Sequence, residues 1–357
     1  MLLPIFVTLV AVIVIATLVP LLRYSSWWVR DFDFPRLQLA ILSLAILTGQ
    51  FAFLDWRGPA FQALVFANTA CLIYQAWWII PYTKLFPHEV KASVVAESHR
   101  QFRIMTANVL MPNQNTDGLI ALIRKHQPDI FVTLETNSWW QERLDVLEGD
   151  YPYSIKCPLD NLYGMHVYSR YPLEDGAVQF LVEDDIPSIH ALVVLPAGKK
   201  VRMHFLHPTP PSPTEHEKST QRDAELLVVA KSVGELDTPV IVAGDLNDVA
   251  WSTTTRLFRK ISGLLDPRIG RGMFNTFHAG HWFARWPLDH LFHSEHFTLS
   301  HIERLPSFGS DHFPMLVELT YDSARGADQV GLEADAEDHE LADKKIAAEA
   351  AHESDVH

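Results

Sequence analysis

Within its first 81 residues the chain carries three apolar runs, Leu2 to Leu22, Leu37 to Leu54 and Phe61 to Ile80, with no Asp, Glu, Lys or Arg inside any of them. A helix of about 20 apolar residues is what a bilayer core requires, and uncharged runs of that length are rare in soluble cores. Trp27 and Trp28, flanked by Arg23 and Arg30, suit a membrane interface. A cleaved signal peptide fits less well, because no basic segment precedes the first run and no small-x-small site follows it. The expectation is three transmembrane helices within residues 1–81, at about 2–22, 37–54 and 60–80. The first connection carries Arg23, Arg30 and Arg36, Lys84 and Lys91 follow the third span, and the second connection has only Arg57 beside Asp55. Positive-inside counting then makes this a multi-pass protein of the cell membrane, with the first connection and the C-terminal part on the cytoplasmic face.

The remainder divides by composition into a connector (82–98), a globular domain (99–321) and a tail (322–357) rich in Ala, Asp and Glu, which reads as disordered or at most a lone surface helix. Roughly half of the net charge of -14 lies beyond Ser323, so the domain is only mildly acidic and holds no dense Lys/Arg block. That argues against tight, non-specific duplex binding, which draws on many phosphate contacts. Cys71 and Cys157 are the only cysteines, which rules out a thiolate-rich zinc site.

Along the domain, Phe102–Asn108, Pro128–Glu135, Gly164–Pro172, Ile189–Leu195, Val201–His207, Val240–Ala243, Leu288–His293 and Phe313–Leu319 read as strands. Helices are expected at Thr116–His126, Trp139–Leu147, Thr220–Leu236 and Thr253–Arg259. Strands outnumber helices and the helices fall between strand groups, a pattern that suits an α/β (α+β) sandwich of mixed sheets.

The central stretch is Thr238-Pro-Val-Ile-Val-Ala-Gly-Asp-Leu-Asn-Asp248, a buried strand that runs into Asp245 and Asn247. A spacing of two would put both side chains on one side of an extended backbone. Other strands also end in polar groups: Asn108, Glu135, His207, Asp289, and Asp311 with His312. If these ends share a rim, burying so many carboxylates together is unfavourable unless a cation offsets their repulsion. Oxygen donors without thiolates suit a hard ion, Mg²⁺ or Mn²⁺, and the expected reaction is metal-assisted attack of water on phosphorus.

Taken in order, Asn108, Glu135, His207, Gly244-Asp-Leu-Asn247, Asp289-His290 and Ser310-Asp-His312 closely resemble the endonuclease/exonuclease/phosphatase superfamily. The resemblance spans roughly Ser98 to Thr320, and the Tyr168-Ser-Arg-Tyr-Pro172 turn also fits it. It implies a DNase I-like, four-layered sandwich of two mixed β-sheets flanked by helices, here preceded by three transmembrane helices. It implies Glu135 as principal metal ligand, with Asn108 and Asp311 on the metal side. Asp245 would orient or deprotonate the water, with Asn247 beside it, and His312, oriented by Asp289, would contact the phosphate. His207 would be the second catalytic histidine. His166, His204, His290 and His293 read as structural. The loop holding His278, His281, Trp282 and Trp286 reads as ordinary packing, with lining of the substrate mouth as the alternative.

The expected activity is that of a membrane-anchored hydrolase of phosphoric esters, whose substrate could be nucleic acid, a phospholipid or a small phosphoester. No protein partner is inferable. A binding scaffold of the same fold would show losses among the site residues, and there are none. A transporter would need ionisable groups at mid-depth in the spans, which are lacking.

Overall fold

The computed structural model describes residues 2–94, 100–196, 198–234, 236–349, 351 and 356. Residues 95–98 of the expected connector, His99 where the domain was expected to begin, and residues 350, 352–355 and 357 of the tail lie outside them. The chain forms two compact units: Met1–Pro87 with Pro211–Ser219, and His88–Pro210 with Thr220–His357.

In the first unit, α1 (Leu2–Leu18), α3 (Arg36–Phe53) and α4 (Pro59–Ile79) pack together, and the short α2 (Trp27–Arg30) leads into α3. All three long helices have the length and apolarity to cross a bilayer. Their packing is inverted relative to a soluble bundle. Large side chains such as Ile15, Ile41, Phe51, Phe66 and Ile73 face outward, while Thr17, Ser43, Gln50, Asn68 and Gln75 are buried between the helices. Asn68 Nδ2 donates to the Ser43 carbonyl (3.0 Å) and Gln75 Nε2 to Thr17 Oγ1 (3.0 Å). Polar contacts between helices and apolar surfaces outside are what lipid favours. The segment Pro211–Ser219 pairs with this unit: Trp27 N–H donates to the Glu217 carbonyl (2.9 Å) and Ser219 N–H to Ser25 O (2.8 Å). Nothing in its sequence signalled that attachment.

The second unit contains, in order, β1 (Gln101–Asn108), α5 (Thr116–His126), β2 (Ile130–Leu134), α6 (Ser138–Leu144), β3 (Tyr153–Cys157), β4 (Met165–Ser169), β5 (Leu173–Gln179), β6 (Ser188–Val194), β7 (Lys200–Leu206), α7 (Thr220–Gly234), β8 (Val240–Asp245), α8 (Thr253–Ser262), β9 (Asp289–His293), β10 (Phe297–Arg304), β11 (Met315–Tyr321), α9 (Ser323–Gly326) and α10 (Ala336–Ala347). A six-stranded sheet runs β10-β11-β1-β2-β4-β3 and a five-stranded sheet β5-β6-β7-β8-β9. Both are mixed, because β1–β2 and β7–β8 are parallel and the other pairs antiparallel. Alternation assigns the faces. Ile104, Ile130, Val132 and Val167 meet Ile189, Met203, Phe205 and Ile241 between the sheets. Met105, Phe131 and Tyr168 point the other way, under Leu119, Ile123 and Trp140. Val240 and Val242 lie under Leu226, Val229 and Phe258. The result is a helix–sheet–sheet–helix sandwich. Each fully buried apolar side chain contributes about 1.5–3 kcal/mol, so the strand registers, and with them the strand ends, are firmly set.

Two differences from the sequence reading stand out. Strands β3, β5 and β10 were not expected, and each is a sheet edge with a partly exposed burial pattern. An edge strand needs no continuous apolar run, so its signal is weak. The acidic stretch, expected to be disordered or at most a lone surface helix, forms a helix that packs on the domain. Asp335 caps α10 with a capping box, and Ala342 and Ile346, one helical turn apart, are buried against the α7–α8 face. Acidity is the means of attachment, because Asp338 pairs with Lys260 (2.5 Å) and Asp343 with Lys231. Composition registered the charge but not the basic residues that receive it.

Candidate active site

Two parallel pairs build the rim. In each, a helix (α5 or α7) carries the chain back so that both strands end on the same side. Side chains at the carboxyl ends of such strands converge on a common crevice. Asn108 closes β1, Glu135 follows β2, His207 follows β7 and Asp245 closes β8. The antiparallel β9 starts with Asp289 at that rim, and Ser310-Asp311-His312 leads into β11.

The ends meet. Asn108 Nδ2 donates to Glu135 Oε1 (2.7 Å) and to Asp245 Oδ2 (3.2 Å), joining the two sheets. His312 Nδ1 lies 2.8 Å from Asp289 Oδ2, and its Nε2 lies 3.4 Å from Asp245 Oδ2. His207 Nε2 is 3.9 Å from the same oxygen. Ser310 Oγ donates to the Asn108 carbonyl (2.8 Å) and accepts from His312 N–H (3.0 Å), which ties the last loop to β1. Asp245, Asp289, His207, His312 and Asn108 are buried, whereas Glu135, Asp311 and Asn247 are half-buried.

Backbone geometry aims these groups. Gly244 has φ 145°, and a Cβ there would stand 2.0 Å from the Leu206 carbonyl, so only glycine permits this approach of β8 to β7. Glu135 (φ 61°) and Asn247 (φ 50°) occupy the left-handed region, which non-glycine residues adopt at a cost and which concentrates at functional sites. Asn247 therefore does not continue an extended strand from Asp245. Its N–H donates to Asp245 Oδ1 (3.0 Å) and its Nδ2 to the Pro208 carbonyl (2.9 Å), next to His207.

Charge divides sharply across the rim. Burial pushes the Glu135 carboxyl up to about 7; the Asn108 hydrogen bond opposes this, and Asp311 and Asp245 add to it. Burial also presses on Asp245, but the His312 and His207 imidazoles outweigh it and hold that carboxyl below its ordinary value. Burial raises Asp289. His312 is pushed up to about 10: burial opposes charging, and Asp289 with Asp245 overcomes it. Burial keeps His207 neutral, near 4.

Oxygen donors on the Glu135 side, crowded by like charges, fit a hard cation. Asp245, Asp289 and His312 also bring ligand-type atoms within 4.8 Å of one another. In this structure the two ring nitrogens of His312 face the two carboxylates, Nδ1 in a hydrogen bond with Asp289 and Nε2 3.4 Å from Asp245.

Several contacts were not legible in advance. Phe277 of the Trp-rich loop packs its ring 4.9 Å from that of His312, and Ala279 N–H donates to the Asp311 carbonyl (2.6 Å). The loop thus braces the site, with Trp282 and Phe283 standing 84% and 62% exposed beyond it. Thr276 Oγ1 accepts from Asp289 N–H (3.2 Å). Arg222, on a helix read as apolar inward, reaches the Asn247 carbonyl (2.8 Å). His290 bridges Arg268 (2.7 Å) and the Asp248 carbonyl (2.9 Å) beneath the rim.

A sandwich of two mixed sheets whose facing strand ends gather carboxylates, an asparagine and an Asp–His pair has the DNase I-like architecture. Residues 105–312 match the profile of the Endonuclease/Exonuclease/phosphatase family, and the chain belongs to that family. Solved structures with this fold include D. rerio TDP2 complexed with single strand DNA product (17% identity, 62% of this chain and 99% of that one, TM-score 0.51). They also include the human Nocturnin catalytic domain with bound sulfate anion (17% identity, 62% and 94%, TM-score 0.52). A family protein from Bacteroides thetaiotaomicron is similar at 19% identity (62% and 95%, TM-score 0.52). No curated protein matches the chain.

Proposed function

We propose that the protein is a membrane-anchored, divalent-cation-dependent phosphoric-ester hydrolase. The observation that carries this reading is the bridge from Glu135 through Asn108 to Asp245, which brings an oxygen-rich cation face against an imidazole-lined acid–base face. Glu135, Asn108 and Asp311 would hold the cation, Mg²⁺ or Mn²⁺. When bound, that ion would supply positive charge to offset the charge developing on a phosphoryl oxygen.

The chain's own residues divide the remaining work. Asp245, kept anionic, accepts a proton from a water whose oxygen attacks phosphorus. The P–O bond to the leaving group then breaks. His312, kept protonated, donates a hydrogen bond to the phosphoryl oxygen and is the nearest source of a proton for the departing oxygen. Asp289 fixes the orientation of His312 and stabilises its positive charge. His207, neutral, lies against Asp245, and Asn247 fixes the turn that presents it. The three helices would hold the enzyme in the bilayer, with the arginine count favouring the cytoplasmic face for the domain.

The test is hydrolysis by the full chain in detergent, with Mg²⁺ or EDTA, of single-stranded DNA, duplex DNA, sphingomyelin and a simple monoester. The single-strand DNA product bound by one structural neighbour makes the first a natural arm. Cation-dependent release of product from at least one arm is expected. Absence of turnover on all four would reject the reading and favour a scaffold role.

A further inference from the structure

Beneath the Gly244–Asp248 turn lies a chain of charges that ends in the C-terminal helix. Arg222 of α7 is buried, and its Nη1 donates to the Asn247 carbonyl at 2.8 Å and lies 3.4 Å from Asp248 Oδ1. Its Nη2 pairs with Asp223 Oδ1 at 3.0 Å. Asp223 is itself buried, and its other oxygen meets Lys345 Nζ of α10 at 2.6 Å. Burial alone would raise the Asp223 carboxyl, yet Lys345 and then Arg222 bring it down to about 2. Lys345 and Arg222 together offset the burial of this aspartate, which in turn holds the Arg222 guanidinium in place. A buried carboxylate that loses one of two cations re-forms its contacts with the other, which would draw Arg222 off the Asn247 carbonyl.

We infer that Lys345, Asp223 and Arg222 form a positioning relay through which the acidic C-terminal helix sets the geometry of the Asp245–Asn247 turn. The inference rests on the hydrolase reading for its kinetic consequence but not for its structural one. None of the three residues touches the reacting groups; each acts through the next. Asn247 is the sensitive point. Its left-handed backbone is held from one side by Arg222 and from the other by the Asp245 carboxylate and the Pro208 carbonyl. The segment after β11 is thereby part of the catalytic unit rather than an appendage.

The experiment compares the full chain with Lys345→Met and Lys345→Arg by amide hydrogen exchange and steady-state kinetics. In Lys345→Met, exchange at Asn247 and Leu246 should rise about tenfold while β2 amides are unchanged, and kcat should fall about tenfold at constant KM. Lys345→Arg should restore both to near wild type. Unchanged exchange at Asn247 in Lys345→Met, or a rise spread evenly over the domain, would overturn the relay. A local rise in a protein whose wild type hydrolyses nothing would uphold the relay and reject the hydrolase reading instead. Lys345→Met is preferred to Arg222→Met because Lys345 is 26% exposed and its loss leaves Asp223 paired with Arg222, whereas loss of Arg222 removes a partner from two buried carboxylates, Asp223 and Asp248.

Discussion

The β1–α5–β2 and β7–α7–β8 units are the same device used twice. Each is a pair of parallel apolar strands joined by a helix, and each delivers two polar residues to the rim: Asn108 and Glu135 from one, His207 and Asp245 from the other. Their electrostatics are opposite. Glu135 faces Asp311 and Asp245 and is pushed up to about 7 by burial and those charges. Asp245 is more deeply buried yet held low, because two imidazoles stand against it. Similar backbone architecture therefore leaves the carboxylate of one half crowded by like charges, while that of the other faces the imidazole of His207 and that of His312 from the loop before β11.

The widest break between the halves should appear in turnover. Asp245→Asn, Glu135→Gln and His312→Ala are each expected to lower cation-dependent hydrolysis by roughly 10²–10⁴-fold. Only Glu135→Gln should be partly rescued by raising the Mg²⁺ or Mn²⁺ concentration, because only it weakens cation binding. Titrating each variant with metal measures this. Rescue of Asp245→Asn, or none for Glu135→Gln, would erase the proposed division.

Next in size is a backbone test specific to the second half. Gly244→Ala places a Cβ 2.0 Å from the Leu206 carbonyl at φ 145°, a clash that no rotamer relieves. Destabilisation of about 3 kcal/mol or more is expected by urea unfolding. The first half has no counterpart, since Leu134 and Glu135 carry the chain there without a glycine.

What could be read from residues alone follows this same asymmetry. Strand ends that finish an apolar run, such as Asn108, Glu135 and Asp245, were legible because the run fixes where the strand stops. Arg222 and Lys345 were not, since a single paired cation on a helix leaves no period in the sequence. The edge strands β3, β5 and β10 escaped because edges are half-solvated. Asn247 was expected at the site, but its turn was not, because one residue with φ 50° reverses the direction that alternation predicts.

One buried histidine on a strand next to each half provides an acid-response control for the comparison. His166 on β4 pairs beside β2, and His293 on β9 pairs beside β8. Burial holds both near 4 against an ordinary 6.5. Between those values the unfolded chain binds more protons, so stability that is complete above about pH 6.5 is lost as pH falls toward about 4. Each should cost about 3 kcal/mol over that window, read as a falling denaturation midpoint. His166→Asn and His293→Asn should each flatten the curve by a similar amount. A response confined to one of them would mean that the sheets do not share the acid load.

The smallest effect discriminates most directly, because its sign differs between the halves. In cation-free buffer, Glu135→Gln removes a carboxylate crowded by Asp311 and Asp245 while leaving an acceptor for the Asn108 amide. It should stabilise the fold by about 1 kcal/mol. Asp245→Asn removes the carboxylate that His312 and His207 both face, so a buried imidazolium keeps only Asp289 as partner. It should destabilise by about 1–2 kcal/mol. Adding Mg²⁺ should raise the melting temperature of the wild type and leave that of Glu135→Gln nearly fixed. If both variants shift the same way without metal, the carboxylates belong to one shared charge cluster. The contrast between a face that needs a cation and a face that does not would then be lost.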